Sequence, residues 1–149
     1  MKKRKSMKQP SAPGERLVDA LVPTAFVTMA VLNKIGAEND LSLTLIRVLG
    51  ILLDRRPRMT ELADYLGLEK QTMSGLVARA EKKGLVARAP NAEDGRATDV
   101  FLTSEGVKLV KRLHAEAQRA LAPLTEQLSA SDQRRLQELL QRMLESRKS

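Results

Sequence analysis

The sequence contains no cysteine and a single histidine, His114, among its 149 residues. The lack of cysteine excludes disulfide bonds, thiolate metal ligands and redox sensing through a thiol. A zinc site needs several cysteine or histidine ligands, and this chain offers one imidazole. We therefore expect no metal site built by the chain alone. His114 itself is open to a structural, solvent-facing or ligand-sensing role. A chain without cysteine suits the reduced cytoplasm, where we expect the protein to act.

Aromatic residues are almost as scarce. They make up 2% of the chain, as Phe26, Tyr65 and Phe101, and there is no tryptophan. Hydrophobic residues nevertheless reach 42%, which is enough for a folded core. Such a core must be built from leucine, valine, alanine and methionine, which suits helices. We therefore expect a mainly α fold.

The sequence also lacks the patterns of an enzyme and of a membrane protein. It has no nucleophile–base pair, glycine-rich phosphate loop or metal-ligand cluster, so we predict no catalytic activity. The longest uncharged run, residues 20–33, is shorter than the ~20 residues that a spanning helix needs, and it contains Pro23. No apolar run directly follows the basic residues 1–5, as it would in a signal peptide. We expect no membrane-spanning segment and, for the function predicted below, no membrane partner.

What the sequence has in excess is positive charge. The net charge of +8 favours a polyanionic partner, either a nucleic acid or an anionic membrane surface. Residues 1–14 are basic and then rich in serine, proline and glycine, which predicts a disordered tail. The alternative for this tail is a basic arm that contacts phosphates.

Helical periodicity marks both ends of the chain. In the first part, apolar residues recur at Leu17, Leu21, Ala25, Met29 and Leu32. This spacing predicts a helix from Glu15 to about Ile35, which Pro23 should kink or split. The helix is apolar on more than one face, so a partner chain would help to cover it. After residue 103 two long helices follow, and the first of them should bend at Pro123.

Three residues with hydroxyl side chains precede predicted helices and can cap them. A loop over residues 36–40 leads to Ser42, which can cap the second helix. Thr103 and Ser129 occupy the same position before the two C-terminal helices, and Asp132 follows Ser129 at the offset of a capping box.

Residues 59–78 have the spacing of a helix-turn-helix. Two closely crossing helices need a small residue at the crossing, which Ala63 supplies. The turn needs a residue that tolerates an unusual backbone angle, and Gly67 follows four positions later. Apolar residues that can hold both helices to the core are Leu62, Leu66, Leu68, Met73 and Leu76. The alternative is a helical hairpin of a bundle, and the Ala63–Gly67 pair and the β-hairpin predicted next argue against it.

The second helix of this unit would read DNA. Its polar face begins with small side chains that allow close approach to base edges, and cations for guanines or phosphates follow. The predicted DNA-contacting residues are Lys70, Gln71, Thr72, Ser74, Gly75, Arg79 and Lys82, with Lys83 as a further cation. The alternative is a charged face that only meets solvent.

Two predicted strands, residues 85–89 and 98–102, form a β-hairpin with a long polar tip. At this tip Arg96 could reach a narrow minor groove, where the negative potential is strongest. Asp94 would hold the Arg96 guanidinium in place. The alternative is that Asp94 and Arg96 only pair across a surface turn.

The order of these elements resembles the multiple antibiotic resistance regulator (MarR) family. The matching motifs are Glu61-Leu62-Ala63 with Leu66-Gly67, Leu76-Val77, residues 81–86, Asp94-Gly95-Arg96, and residues 100–106. The likeness runs from about Glu15 to the end of the chain. It implies a homodimer joined by its terminal helices, which binds roughly palindromic operators, usually as a repressor. It also implies release from DNA by small anionic aromatic ligands that lodge between the dimer-forming and DNA-binding parts.

The sequence departs from the family pattern in two places. The family's wing tip more often reads Asp-Arg-Arg, so Gly95 removes one cation. The cysteine of the peroxide-sensing members is absent.

We therefore predict a winged helix-turn-helix domain over residues 36–103 and a helical dimerisation region over residues 15–35 and 104–149. The predicted dimer interface consists of Leu17, Leu21, Phe26, Leu136, Leu139, Leu140 and Met143. The expected function is a sequence-specific, ligand-responsive repressor that binds double-stranded DNA as a homodimer and needs no cofactor. The alternatives are an architectural, weakly specific DNA-binding protein and a winged helix that binds protein.

Overall fold

The computed structural model describes residues 12–145 and residue 147. Most of the predicted basic tail, residues 1–11, lies outside the described residues. Within them the chain forms six helices and a two-stranded antiparallel sheet, which confirms the predicted mainly α fold with a hairpin wing. In chain order the elements are α1 (Pro13–Glu38), α2 (Leu43–Leu52), α3 (Met59–Leu66), α4 (Lys70–Lys82), β1 (Val86–Pro90), β2 (Thr98–Leu102), α5 (Ser104–Thr125) and α6 (Ala130–Glu145).

Each of the three predicted hydroxyl caps is present. The Ser42 hydroxyl accepts the N–H of Leu45 at 3.1 Å, and the Thr103 hydroxyl accepts the N–H of Gly106 at 3.0 Å. Ser129 accepts the N–H of Asp132 at 3.1 Å. These bonds satisfy N–H groups that have no partner within their own helix, and so they define where α2, α5 and α6 begin.

Of the kink or split predicted at Pro23, the split is wrong, because the helix continues through the proline to Glu38. The kink stays a prediction. Proline removes a single backbone donor, and a long helix retains the bonds on either side of it. One turn is further supported by Thr24, whose hydroxyl donates to the carbonyl of Ala20 at 2.7 Å. Helix α5 continues two residues beyond Pro123, and the bend predicted there stays a prediction.

The turn after α1 is shorter than the predicted loop, since residues 36–38 are still helical. The N–H of Leu41 bonds back to the carbonyl of Gly36 at 2.8 Å. A Cβ atom on Gly36 would lie 2.5 Å from the Leu41 carbonyl oxygen. Glycine is therefore required at position 36 for the chain to pass directly from α1 to α2.

The core lies among α2, α3, α4 and the hairpin. Its largest fully buried side chains are Val48, Leu49, Leu62, Met73, Val77 and Val100. Full burial of such a side chain contributes about 1.5–3 kcal/mol to folding. The C-terminal end of α1 adds Ile35, and α5 adds Val110 and Leu113. Helix α4, which the sequence predicts to read DNA, is thus packed onto the same core that supports the long terminal helices.

The N-terminal part of α1 and the whole of α6 contribute nothing to this core. Leu17 and Phe26 are 54% and 64% exposed, and α6 has no buried residue among those that the structure describes. By length and composition alone α1 could also cross a bilayer, although its longest uncharged run led us to expect otherwise. A large apolar surface on both terminal helices is therefore uncovered in the single chain.

Candidate nucleic-acid interface

The turn between α3 and α4 has the backbone that its sequence predicts. Gly67 follows α3 with φ 66°, in the left-handed region where glycine meets no steric penalty. The N–H of Leu68 donates to the carbonyl of Ala63 at 2.9 Å and closes the end of α3. Ala63 is 1% exposed, which confirms that a small residue is packed inside the helix-turn-helix.

Helix α4 has the two faces predicted for a recognition helix. Met73, Val77 and Ala80 are fully buried, so their side chains fix its rotation on the core. The predicted DNA-contacting residues are exposed or half-buried on the other side, namely Lys70, Gln71, Thr72, Ser74, Gly75, Arg79 and Lys82. The face offered to a partner therefore has Lys70 at its start, small polar side chains in its middle, and Arg79 and Lys82 towards its end.

The cations of α4 and its C-cap fall into two groups. Lys70, Arg79 and Lys82 form no ion pair with any described residue. Lys83, which we predicted as a further DNA cation, instead contacts the carbonyl and carboxylate of Asp40. Lys83 therefore joins the end of α4 to the α1–α2 turn.

The wing follows as predicted, with β1 one residue later than expected. The register pairs Val86 with Leu102 and Pro90 with Thr98. The N–H of Val100 also donates to the carbonyl of Pro57 at 2.9 Å. This bond attaches the hairpin to the segment that joins α2 and α3, so the wing has a fixed base beside the helix-turn-helix.

At the wing tip the predicted contact between Asp94 and the Arg96 guanidinium is absent among the described residues. The Asp94 carboxylate instead accepts the backbone N–H of Arg96 at 3.0 Å. An aspartate in a tight turn readily bonds to the backbone two residues later. Here this bond is formed in place of the predicted ion pair with the Arg96 guanidinium. Arg96 is exposed, and its backbone rather than its guanidinium is bonded to Asp94.

Sequence reasoning missed three residues that support this wing: Arg56, Asn91 and Asp99. Asp99 is 8% exposed and is the one charged residue among the buried residues of the described chain. Its Oδ1 accepts from Asn91 Nδ2 at 2.8 Å, and its Oδ2 lies 3.7 Å from Arg56 Nε. The strand alternation puts Asp99 opposite the buried Val100, on the face expected to meet solvent, so the pattern gave no warning of its burial.

The other predicted sites lie on the terminal helices. The residues assigned to the dimer interface are all exposed, namely Leu17, Leu21, Phe26, Leu136, Leu139, Leu140 and Met143. His114 is exposed on α5, at the edge of a small cavity of about 140 Å³ between α1, α2 and α5. The cavity is lined mainly by apolar side chains, including Leu32, Ile46, Leu49, Leu113 and Ala117.

A helix-turn-helix whose polar face is open, followed by a hairpin with an exposed arginine at its tip, defines a winged helix DNA-binding protein. The model of the MarR family matches residues 39–97. The HTH-type transcriptional repressor Rv2887 of Mycobacterium tuberculosis is 30% identical over 94 residues, which cover 62% of this chain and 68% of that protein.

Solved structures agree over nearly the whole chain. Wild-type MarR from E. coli in its apo form matches with a TM-score of 0.68 and 25% identity, covering 91% of this chain and 99% of that one. The complex of NadR with 4-hydroxyphenylacetate shares the fold, with a TM-score of 0.73, 20% identity and coverage of 94% and 97%. The chain belongs to the MarR family. It is a DNA-binding transcriptional regulator and not an enzyme.

Proposed function

We propose that this regulator is a cytoplasmic repressor that binds a near-palindromic operator as a homodimer, with α4 in the major groove and the wing in the adjacent minor groove. The observation that carries the proposal is the open face of α4, where small polar side chains and unpaired cations stand together. These groups suit base edges and phosphates respectively. Its relative Rv2887 is a transcriptional repressor, which supports repression as the outcome.

The homodimer is supported by the exposed apolar surface of α1 and α6. Large exposed apolar patches on a protein mark interaction surfaces. In a two-fold dimer such a patch is covered by the same patch of the second chain. Membership of a family of DNA-binding regulators favours a second copy over a bilayer as the cover of α1. Two chains also double the net charge of +8, which strengthens attraction to DNA.

A two-fold dimer determines the spacing of its DNA site. Its recognition helices would enter successive major grooves about 34 Å apart, so the half-sites should repeat after ~10 base pairs. Footprinting of bound genomic fragments should therefore recover a near-palindrome. The fragments bound by an architectural DNA-binding protein would instead share no common sequence, and random competitor DNA would displace that protein from the operator.

The contribution of α4 can be measured with Arg79→Ala. We expect operator binding to weaken by ~1–3 kcal/mol, because we assign the exposed guanidinium to a base edge. Fluorescence anisotropy with the operator and with a scrambled duplex provides the measurement. Lys111→Ala, which removes an exposed cation from α5, is the matched control and should change binding little.

Two outcomes would count against this assignment of Arg79. An equal loss on both duplexes would assign Arg79 to phosphate contact rather than to base recognition. Binding that survives both Arg79→Ala and Gln71→Ala unchanged would remove α4 from the interface, and with it the proposed function.

We further propose that a small aromatic carboxylate is the effector and that it occupies the apolar cavity beside His114. The fold is shared with NadR, which was solved with 4-hydroxyphenylacetate. The cavity volume of about 140 Å³ is below the ~300 Å³ at which ligand pockets begin. A ligand would therefore have to widen it by moving α1 and α5 relative to α2, which would change the spacing of the recognition helices.

Filling the cavity should separate effector response from DNA binding. Ala117→Leu places a larger side chain in the cavity, so we expect operator binding to persist while 4-hydroxyphenylacetate no longer weakens it. Ala120→Leu, on the exposed surface of the same helix, is the control and should keep the response. Titration of the preformed operator complex measures both, and a full response in the Ala117→Leu variant would exclude this cavity as the effector site.

A further inference from the structure

Asp99 is an unexpected residue in a wing that approaches DNA. A carboxylate there repels phosphates, and its burial at 8% exposure costs free energy unless its oxygens are bonded. One oxygen accepts a hydrogen bond from Asn91 Nδ2 at 2.8 Å, and the other forms an ion pair with Arg56, whose Nε lies 3.7 Å away. A buried, paired carboxylate at this position therefore calls for a role within the wing.

The bond to Asp99 determines which way the Asn91 amide faces. A carboxylate can only accept, so the NH₂ group of Asn91 must point to Asp99 and its carbonyl oxygen must point away. That oxygen accepts the backbone N–H groups of Glu93 and Asp94, each at 3.0 Å. Asp94 in turn accepts the N–H of Arg96. Asp99 thus lies at the start of a series of bonds that shapes the tip.

The other side of Asp99 is tied to the α2–α3 segment. The Arg56 guanidinium lies 3.9 Å from the centroid of the Phe101 ring, which holds it over β2. The backbone bond from Val100 to Pro57 runs alongside. Asp99 therefore joins the wing tip to a segment that leads directly into the helix-turn-helix.

We propose that Arg56, Asp99 and Asn91 form a positioning relay that holds the wing tip, and hence Arg96, in the orientation that binds DNA. The inference rests on the proposed function, since it requires Arg96 to contact DNA. Arg56, Asn91 and Asp99 act through Arg96. Their effect on binding is therefore limited by what Arg96 contributes.

The relay can be tested by exchanging Asn91 and Asp99, which are joined by a hydrogen bond. Asn91→Asp sets two carboxylates against each other, so the tip should lose its shape and operator binding should weaken about tenfold, the scale of one charge-assisted hydrogen bond. In the double variant Asn91→Asp with Asp99→Asn, the amide at position 99 donates to the carboxylate at position 91. That carboxylate still accepts the two N–H groups of the turn, so affinity should return most of the way to wild type. Circular dichroism checks that all variants keep their helices.

A double-mutant cycle with Arg96→Ala supplies a readout that a loss of general stability would not mimic. In the wild-type background Arg96→Ala should weaken binding and lower its salt dependence, because fewer counterions are released. In the Asn91→Asp background the same change should add little to either loss, since Arg96 is already misplaced. In the exchanged double variant, Arg96→Ala should regain its full effect.

The possible failures are distinguishable. If Arg96→Ala leaves wild-type binding and its salt dependence unchanged, the wing does not contact DNA and that part of the proposed function is wrong. If Arg96→Ala weakens binding but Asn91→Asp does not, only the relay is wrong. Additive losses, or no recovery in the exchanged double variant, would also overturn the relay.

Discussion

Replacing Leu139 and Leu140 by aspartate is expected to abolish dimer formation and operator binding together. Both side chains are 38% exposed in the single chain, on the helix that we assign to the interface. In a two-fold dimer the change would place four carboxylates against apolar surface. Each uncompensated buried charge costs several kcal/mol, which exceeds what an interface of ordinary size can absorb. Sedimentation velocity should show monomer or unfolded chain.

The loss of DNA binding follows from the loss of symmetry. A monomer reaches one half-site, so the contribution of the second half-site disappears and operator affinity should fall by at least about a hundredfold, as for two linked sites that no longer bind together. Ser131→Asp with Gln141→Asp adds the same charge to the polar face of α6 and serves as the matched control. That variant should remain dimeric. A folded monomer of the Leu139 and Leu140 variant with wild-type affinity for the full operator would refute the dimer proposal.

Gly106→Ala is expected to destabilise the fold more than a glycine-to-alanine change at any other described glycine. A Cβ atom at Gly106 would overlap the carbonyl oxygen of Leu85 and lie 3.0 Å from its carbonyl carbon. This clashing oxygen belongs to the backbone and also accepts the N–H of Thr103. Because of that bond, the Leu85 carbonyl cannot move away without losing its hydrogen bond to Thr103. We expect a cost of about 3 kcal/mol.

For a chain of this size that cost corresponds to a fall in Tm of roughly 6–12 °C, measured by circular dichroism at fixed protein concentration. Gly50→Ala is the control, because it lies inside α2 with nothing within 4 Å of the added atom. Alanine should stabilise that helix by about 0.5–1 kcal/mol. Equal Tm values for the two variants would contradict the close packing of α5 on the hairpin.

Local features carried most of the fold prediction. The hydroxyl caps at Ser42, Thr103 and Ser129 act on N–H groups three residues away, so their effect can be read from a short stretch of chain. Ala63 and Gly67 are also local, because the angle between α3 and α4 depends on one turn. Only the predicted split at Pro23 is wrong, since a propensity describes an isolated helix and a long packed helix can accommodate one missing bond.

The sequence by itself determined the elements, the two faces of α4 and the membership of a family of DNA-binding regulators, because periodicity, caps and turn residues act over a few positions. Only the tertiary structure decided which partner each charged side chain contacts. Lys83 is held by Asp40, and Asp99 is buried against Arg56. Each of these outcomes depends on which groups compete for a partner within hydrogen-bond distance. That competition is settled by the packing of segments far apart in the chain, such as the α2–α3 segment against β2, and sequence spacing does not encode it.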